Sequence, residues 1–276
     1  MNQSHADSNR TSILLTRTWE FCKLTCEGHL LIVELNRPEV LNALHRPANL
    51  ELASVFDAFA SDPELWLAIV TGRGRAFCAG NDLKYFASSR DNSLPPTGFG
   101  GLTARFDLLK PVIAAVNGLA LGGGFELALA CDILIADEGA KFALPEPRVG
   151  LAATAGGLLR LPRQIHLKQA MGLILTGRQV SAATGAAMGF VNETAPADQA
   201  LDVARQWAKD VLACSPAAIR ASKHVAMRSN FGADCQLEYA SQKQQEPLQR
   251  LYRSHDVVEG PKAFAEKRPP VWEMPA

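Results

Sequence analysis

Short apolar runs alternate with helix-like segments through the first 150 residues, and this alternation constrains the fold more than any other feature of the chain. The apolar runs end at Gly, Asn or Asp and are expected to form strands, at residues 29–38, 65–72, 111–118 and 131–137. Between them the residue pattern predicts helices over residues 47–60, 104–110 and 125–130. Strands that alternate with helices indicate an α/β fold.

After residue 156 the pattern becomes helical. One predicted helix spans residues 199–213, and its apolar face is formed by Ala200, Ala204, Trp207, Ala208 and Val211. Further helices are predicted over residues 215–227, 234–250 and 256–267. The chain therefore combines an α/β first part with an all-helical last part.

The composition gives no sign of a charged macromolecular partner. The 28 Lys and Arg balance the 28 Asp and Glu, so broad attraction to nucleic acid or to a membrane surface is not expected. The six cysteines form no CxxC pair, which favours free thiols in a reducing compartment. No apolar run reaches the ~20 residues of a membrane span, and the N-terminal residues lack the hydrophobic segment of a secretory signal. We therefore expect a cytoplasmic protein.

Three glycines followed by a glutamate interrupt an apolar run at residues 118–132, GLALGGGFELALACD. Glycines between a strand and a helix allow close approach of a ligand to the backbone, and the helix start adds amide N–H groups without intrahelical partners. Glu126 lies two residues after the last glycine, in the first turn of the predicted helix. The motif is that of an oxyanion-binding turn beside a proton carrier. A tight turn with a capping glutamate is the alternative.

Two further stretches share this character. Residues 76–83, AFCAGNDL, follow a buried strand and place small residues around a glycine. Residues 141–157, KFALPEPRVGLAATAGG, hold Glu146 between two prolines, which restrict the backbone and so orient its side chain. A surface-loop glutamate is the alternative for Glu146.

In this order the three stretches resemble the crotonase superfamily, the enoyl-CoA hydratase/isomerase proteins. The resemblance extends from about Leu30 to Trp272 and includes LNRPEVLNAL, AFCAGNDL, NGLALGGGFELALACD, FALPEPRVGL, LTGR and EGPKAFAEKRPPVW. It implies a spiral core of ββα turns over residues 19–200 and a helical C-terminal oligomerisation region over residues 201–276. It also implies a homotrimer or a dimer of trimers. The N-terminal residues, which lack a hydrophobic segment, independently predict a disordered tail at residues 1–18.

The resemblance further implies how an acyl-CoA would be held and attacked. The oxyanion hole would be formed by the backbone N–H groups of Asn81 and Gly123, which bind the thioester oxygen. The two glutamates of the family's hydratases match Glu126 and Glu146, a pair that favours hydration of a 2-enoyl-CoA to a 3-hydroxyacyl-CoA. No metal or redox cofactor is expected, because coenzyme A is part of the substrate.

One departure from the family concerns the loop after Glu146. Ala153 and Thr154 replace a Pro-Gly pair of many hydratases. Thr154 either contacts substrate or shapes the pocket, so a specialised dehydratase acting on a polar acyl group, similar to carnitinyl-CoA dehydratase, stays open. An enoyl-CoA isomerase and a scaffold or RNA-binding protein without activity are further alternatives.

By the same resemblance, coenzyme A would contact backbone in two loops and residues near the C-terminus. The loop residues are Ala43, Ala79, Asp82, Leu83 and Lys84. The C-terminal residues are Phe264 and Lys267, which approach the nucleotide in some relatives from a neighbouring subunit. For Lys267, a solvated position on a terminal helix is the alternative. The histidines show no metal-binding spacing.

Overall fold

The computed structural model of the chain describes residues 13–230, 232 and 235–273. Its strands are β1 Cys22–Glu27, β2 Leu30–Leu35, β3 Leu67–Gly72, β4 Ala76–Cys78, β5 Val112–Val116, β6 Leu119–Leu121, β7 Ile133–Asp137, β8 Lys141–Ala143, β9 Val180–Ser181 and β10 Glu193–Ala195. Its helices are α1 Ile13–Thr16, α2 Arg46–Ser61, α3 Leu83–Ser88, α4 Gly123–Ala130, α5 Gly157–Gln164, α6 Leu167–Thr176, α7 Ala182–Met188, α8 Ala200–Leu212, α9 Pro216–Asn230, α10 Cys235–Ser241, α11 Glu246–Arg253 and α12 Asp256–Ala265.

The strands form two sheets whose order repeats along the chain. The six-stranded sheet has the order β1-β2-β3-β5-β7-β10, and the four-stranded sheet has the order β4-β6-β8-β9. In each of the successive strand pairs β3–β4, β5–β6 and β7–β8, the first strand belongs to the six-stranded sheet and the second to the four-stranded sheet. Within each sheet, these strands pair in parallel with those of the next unit. This spiral of β-β units confirms the predicted α/β class.

The central strands are buried on both faces. In β3, Ala68 and Val70 face the main core, whereas Leu67 and Ile69 face a second core beneath α8, as expected for a two-residue side-chain period. The small side chains of Ala200, Ala204 and Ala208 let α8 lie close against this second face. The predicted apolar face of that helix is therefore confirmed.

Three predictions of local structure were wrong. Residues 104–110 form turns instead of a helix, because Lys110 and Arg105 are held by α2: the Lys110 Nζ donates to Phe59 O and Asp62 O at 2.5 Å each. The helix predicted over 234–250 is broken before α11, where Pro247 occupies a first-turn position.

The third concerns the N-terminal tail that was expected to be disordered. Residues 1–12 lie outside the described residues. Residues 13–16 form α1. Its Leu14 is buried in the main core, and the Leu14 carbonyl accepts a hydrogen bond from Trp19 Nε1 at 2.8 Å. Burial of this leucine stabilises the ordered segment. The polar residues around it had instead suggested disorder.

Across the described residues, no helix has both the length and the apolar character needed to cross a membrane. The five cysteines whose side chains are described are free thiols.

Candidate active site

The glycine-rich turn begins α4 and touches the loop after β4. Gly122 adopts φ 53° and ψ −126°, and α4 starts at the next residue. Gly80, in the loop after β4, has φ 92°, and a Cβ added there would lie 3.1 Å from the Gly123 nitrogen and 2.6 Å from Leu121 O. Positive φ and this close approach require glycine at position 80. The two loops that sequence reasoning singled out are therefore in contact.

Two backbone amides at this contact have no acceptor among the described residues, those of Asn81 and Gly123. The backbone on both sides of Asn81 is fixed by Leu44, whose N–H donates to Gly80 O at 2.8 Å and whose carbonyl accepts from Asp82 N at 3.0 Å. The Gly123 amide is at the first turn of α4, where an N–H has no intrahelical partner. Both residues line the same cavity.

Glu126 is buried at this cavity, with 3% of its surface exposed. Its Oε1 accepts a hydrogen bond of 2.8 Å from the Gly157 amide at the start of α5, which fixes the carboxyl group. Burial raises the pKa of Glu126 to about 7; the Gly157 bond opposes this shift, and the charge of Glu146 adds to it. A carboxyl group with such a pKa can hold or release a proton near neutral pH.

Glu146 lies against the glycine turn. It starts a short 3₁₀ turn, Glu146–Val149, between Pro145 and Pro147. A Cβ added at Gly122 would lie 2.8 Å from Glu146 Oε1, so the carboxyl group lies directly against the turn. Its Oε2 is buried and has no hydrogen-bond partner among the described residues, and burial raises the pKa of Glu146. This oxygen can accept a hydrogen bond from a water or a substrate.

The cavity that joins these groups has a volume of about 590 Å³. Side chains that are partly exposed, Leu83, Phe86, Leu94, Val149 and Leu151, give it apolar walls. The polar groups are concentrated where α4 begins. An apolar cavity with a few convergent polar groups is the usual form of a small-molecule site.

Seven of the predicted site residues line this cavity, namely Ala79, Asn81, Leu83, Gly123, Glu126, Glu146 and Thr154. Ala43 and Asp82 lie outside its lining and have local bonding partners. The Ala43 carbonyl accepts a hydrogen bond from Arg37, and the Asp82 carboxylate pairs with the Arg37 guanidinium at 3.2 Å. Asp82 also caps α3, where it accepts from Tyr85 N at 3.1 Å.

Lys84, Phe264 and Lys267 also lie outside the cavity lining. Lys84 is exposed on α3, and Lys267 is exposed just after α12 with φ 52°. Phe264 is 87% exposed, so its ring has almost no contact with the rest of this chain. The placement of these three residues therefore leaves a role in binding coenzyme A as a prediction.

The sequence analysis did not identify two arginines that line the cavity. Arg46 opens α2, and its Nε contacts the Asp91 carboxylate at 2.9 Å and Ser93 Oγ at 3.2 Å. Arg148 donates from its Nε to Thr176 O at 3.0 Å. No periodicity marks either residue, because their place in the cavity depends on loops brought together by the fold.

Comparison with known proteins identifies the family. The sequence model of the enoyl-CoA hydratase/isomerase family matches residues 25–275. The chain belongs to this family. A protein of Salmonella paratyphi A named carnitinyl-CoA dehydratase is 41% identical over 258 residues, which cover 92% of this chain and 98% of that protein. A Citrobacter koseri protein of the same name is 40% identical with the same coverage.

Solved structures agree with this assignment. The enoyl-CoA hydratase of Mycobacterium tuberculosis H37Rv superposes with a TM-score of 0.87 at 39% identity, covering 92% of this chain and 98% of that chain. The enoyl-CoA hydratase of Bacillus anthracis gives a TM-score of 0.85 at 32% identity, covering 92% and 99%. The predicted crotonase-type spiral with a helical C-terminal region is therefore confirmed.

Proposed function

We propose that this member of the enoyl-CoA hydratase/isomerase family adds water reversibly to a 2-enoyl-CoA, giving a 3-hydroxyacyl-CoA. The observation that carries the proposal is the pair of carboxyl groups that line one cavity at the glycine turn, those of the buried Glu126 and the half-buried Glu146. Hydration of a conjugated double bond needs a base for water and an acid for carbon, and the pair supplies both.

The amides of Asn81 and Gly123 form the proposed oxyanion hole. When oxygen adds at Cβ, the π electrons move towards Cα and the thioester oxygen gains negative charge. Two N–H groups without internal acceptors, fixed by the backbone around them, can hold this charge as it develops. One such donor contributes roughly 10²–10³ in rate in other enzymes.

The environments of the two glutamates suggest their division of labour. Glu126 is the more deeply buried of the two, and its burial and the charge of Glu146 raise its pKa to about 7, so it keeps its proton up to about that pH. Glu146 is assigned as the base, because its unpaired Oε2 can take a proton from water as the O–H bond breaks and the C–O bond forms. Glu126 then delivers a proton to Cα. Transfer of the proton from Glu146 back to Glu126 completes the cycle without any metal or redox cofactor.

The test compares Glu146→Gln with the parent enzyme and with Glu138→Gln, a matched change at an exposed carboxylate. Loss of the enoyl-thioester absorbance of crotonyl-CoA measures hydration. We expect Glu146→Gln to lose about 10²–10⁴ in kcat and Glu138→Gln to retain the parent rate. Survival of activity in Glu146→Gln within about tenfold would contradict the assigned base.

A second candidate is a dehydratase for a polar acyl-CoA. The relatives named carnitinyl-CoA dehydratase and the presence of Thr154 in the cavity lining favour it. Turnover of a polar acyl-CoA with no turnover of crotonyl-CoA or of a longer 2-enoyl-CoA would select this candidate. Absence of solvent ¹⁸O from the product would instead indicate an isomerase.

The assembly is proposed to be a homotrimer or a dimer of trimers in the cytoplasm. Exposed apolar side chains support self-association: Leu167, Met171 and Leu175 follow one another at four-residue spacing on α6. Phe264 and Lys267 would then meet coenzyme A held by a neighbouring subunit, while Leu83 and Lys84 would meet it within their own chain. Sedimentation analysis tests the assembly, and cell fractionation tests the location.

A further inference from the structure

A second cavity lies away from the glutamates, where the end of α2 meets the first turns of α9 and α11. Its volume is about 260 Å³. Three of its lining residues are cationic, namely Lys110, Arg220 and Arg250. Two are acidic, Asp107 and Glu246. We call it the Arg220 cavity.

The two acidic side chains are engaged by other arginines. Glu246 pairs with Arg250 at 2.7 Å, and Asp107 contacts Arg105 at 3.5 Å. Lys110 and Arg220 have no carboxylate within 4.0 Å among the described residues. The cavity therefore contains two positive charges that no acidic side chain neutralises directly.

Arg220 also lacks acceptors for its hydrogen-bond donors. Its Nε and Nη2 are buried and have no partner in the described part of the chain. A guanidinium carries five N–H donors, and leaving buried donors unpaired is costly. These nitrogens can therefore donate to an acceptor that enters the cavity.

Lys110 is positioned to contribute to the same ligand. Its Nζ donates to Phe59 O and Asp62 O, and an ammonium group has a third N–H for another acceptor. Burial, together with the positive charge of Arg220, lowers the pKa of Lys110 to about 8, whereas the charge of Asp62 opposes this shift. Burial and the charge of Arg250 lower the pKa of Arg220. An anion in the cavity would relieve the repulsion between the cations.

We propose that the Arg220 cavity binds a small oxyanion of the phosphate type, held by Arg220 and Lys110. A phosphate carries a charge of about −1.5 to −2 near neutral pH, which matches two uncompensated cations. Arginine presents its N–H groups in a planar fork that suits phosphate oxygens, and lysine adds a point charge. The site is distinct from the catalytic cavity, because the two share no lining residue.

The experiment measures phosphate binding by calorimetry and by thermal unfolding, in a phosphate-free buffer whose ionic strength is kept constant with NaCl. Inorganic phosphate is the probe. We expect saturable binding to the parent protein, a Tm that rises with phosphate concentration, and binding at least about tenfold weaker in Arg220→Gln. Arg253→Gln, which removes the same charge from an exposed position outside the cavity, should bind phosphate as the parent does.

Arg220→Gln also reports on the protein without phosphate. Because Arg220 has no carboxylate partner, its replacement should leave the Tm unchanged or raise it. Coenzyme A at equal phosphate concentration distinguishes the source of the phosphate group: competition with inorganic phosphate would show that a CoA phosphate can enter the site. Absence of saturable binding, or equal binding by Arg220→Gln, would overturn the proposal. A change of sedimentation mass in Arg220→Gln, without phosphate binding to the parent, would overturn it in favour of a contact between subunits.

Discussion

The stability of Glu126→Gln offers a quantitative test of the buried glutamate. In the unfolded chain Glu126 has its ordinary pKa of 4.5, and burial raises the pKa to about 7 in the folded protein. Between these pH values the unfolded chain releases the proton while the folded chain retains it. Stability therefore falls as pH rises from 4.5 to about 7 and is constant above that range.

The size of this loss follows from the two pKa values. Raising a pKa from 4.5 to about 7 corresponds to about 3 kcal/mol of stability lost by pH 8. Gln at this position does not ionise, and its oxygen can still accept the Gly157 hydrogen bond. Gln loses part of the hydrogen bonding of the carboxyl group, because the Ala155 amide also bonds to that group, and this offsets about 1–2 kcal/mol. Glu126→Gln is therefore expected to be more stable than the parent by about 1–2 kcal/mol at pH 8, although it loses hydratase activity.

Thermal or urea unfolding at pH 5 and pH 8 measures the effect. The free energy of unfolding of Glu126→Gln, relative to that of the parent, should be about 2–3 kcal/mol greater at pH 8 than at pH 5. Each kcal/mol corresponds to roughly 2–4 °C in Tm for a chain of this size. Glu138→Gln, at an exposed position, is the control. Its free energy of unfolding relative to that of the parent should be the same at both pH values. An equal effect of Glu126→Gln at the two pH values would refute burial as the cause of its raised pKa.

Three further changes have defined outcomes. Gly122→Ala should lower kcat at least tenfold, because the alanine Cβ would lie 2.8 Å from Glu146 Oε1 and a φ of 53° is strained for alanine. Kinetics with crotonyl-CoA measure the change in kcat. Asp82→Ala should cost about 1 kcal/mol in urea unfolding through loss of the α3 cap. Arg268→Gln should make residues 266–273 sensitive to protease, because Arg268 binds the buried Glu259 through two hydrogen bonds of 2.6 and 2.9 Å.

The central strands were predictable because their signal is local. All six residues of β3 and all five of β5 are buried, and the sequence shows β5 as an uninterrupted apolar run and β3 as an apolar run that ends in Thr71 and Gly72. The start of α4 was also predictable, because glycine and an early glutamate are residue preferences that act over a few positions. Local patterns of this kind need no knowledge of the rest of the chain.

Features that depend on distant contacts were not predictable. The segment 104–110 has a helical composition, but two of its cations are bound to α2, and these tertiary bonds outweigh helix propensity. Arg46 and Arg148 reach the cavity only because loops far apart in sequence meet there. The unpaired nitrogens of Arg220 likewise belong to a cavity built from four separate segments.

The glycine triplet and the glutamate beside it are explained by separate neighbours. A Cβ at position 124 would lie 2.0 Å from Cys78 O, a Cβ at position 123 would lie 2.7 Å from the Phe99 ring, and a Cβ at position 122 would meet the Glu146 carboxyl group. Gly124 therefore allows α4 to pack against β4, whereas Gly122 and Gly123 leave room for two residues of the cavity lining, Glu146 and Phe99. At position 124 the Cβ would meet backbone, so a side chain there would displace the start of α4 and weaken the proposed oxyanion hole. Burial in the same region raises the pKa of Glu126, so the proposed oxyanion hole lies beside a carboxyl group that can serve as the proposed acid.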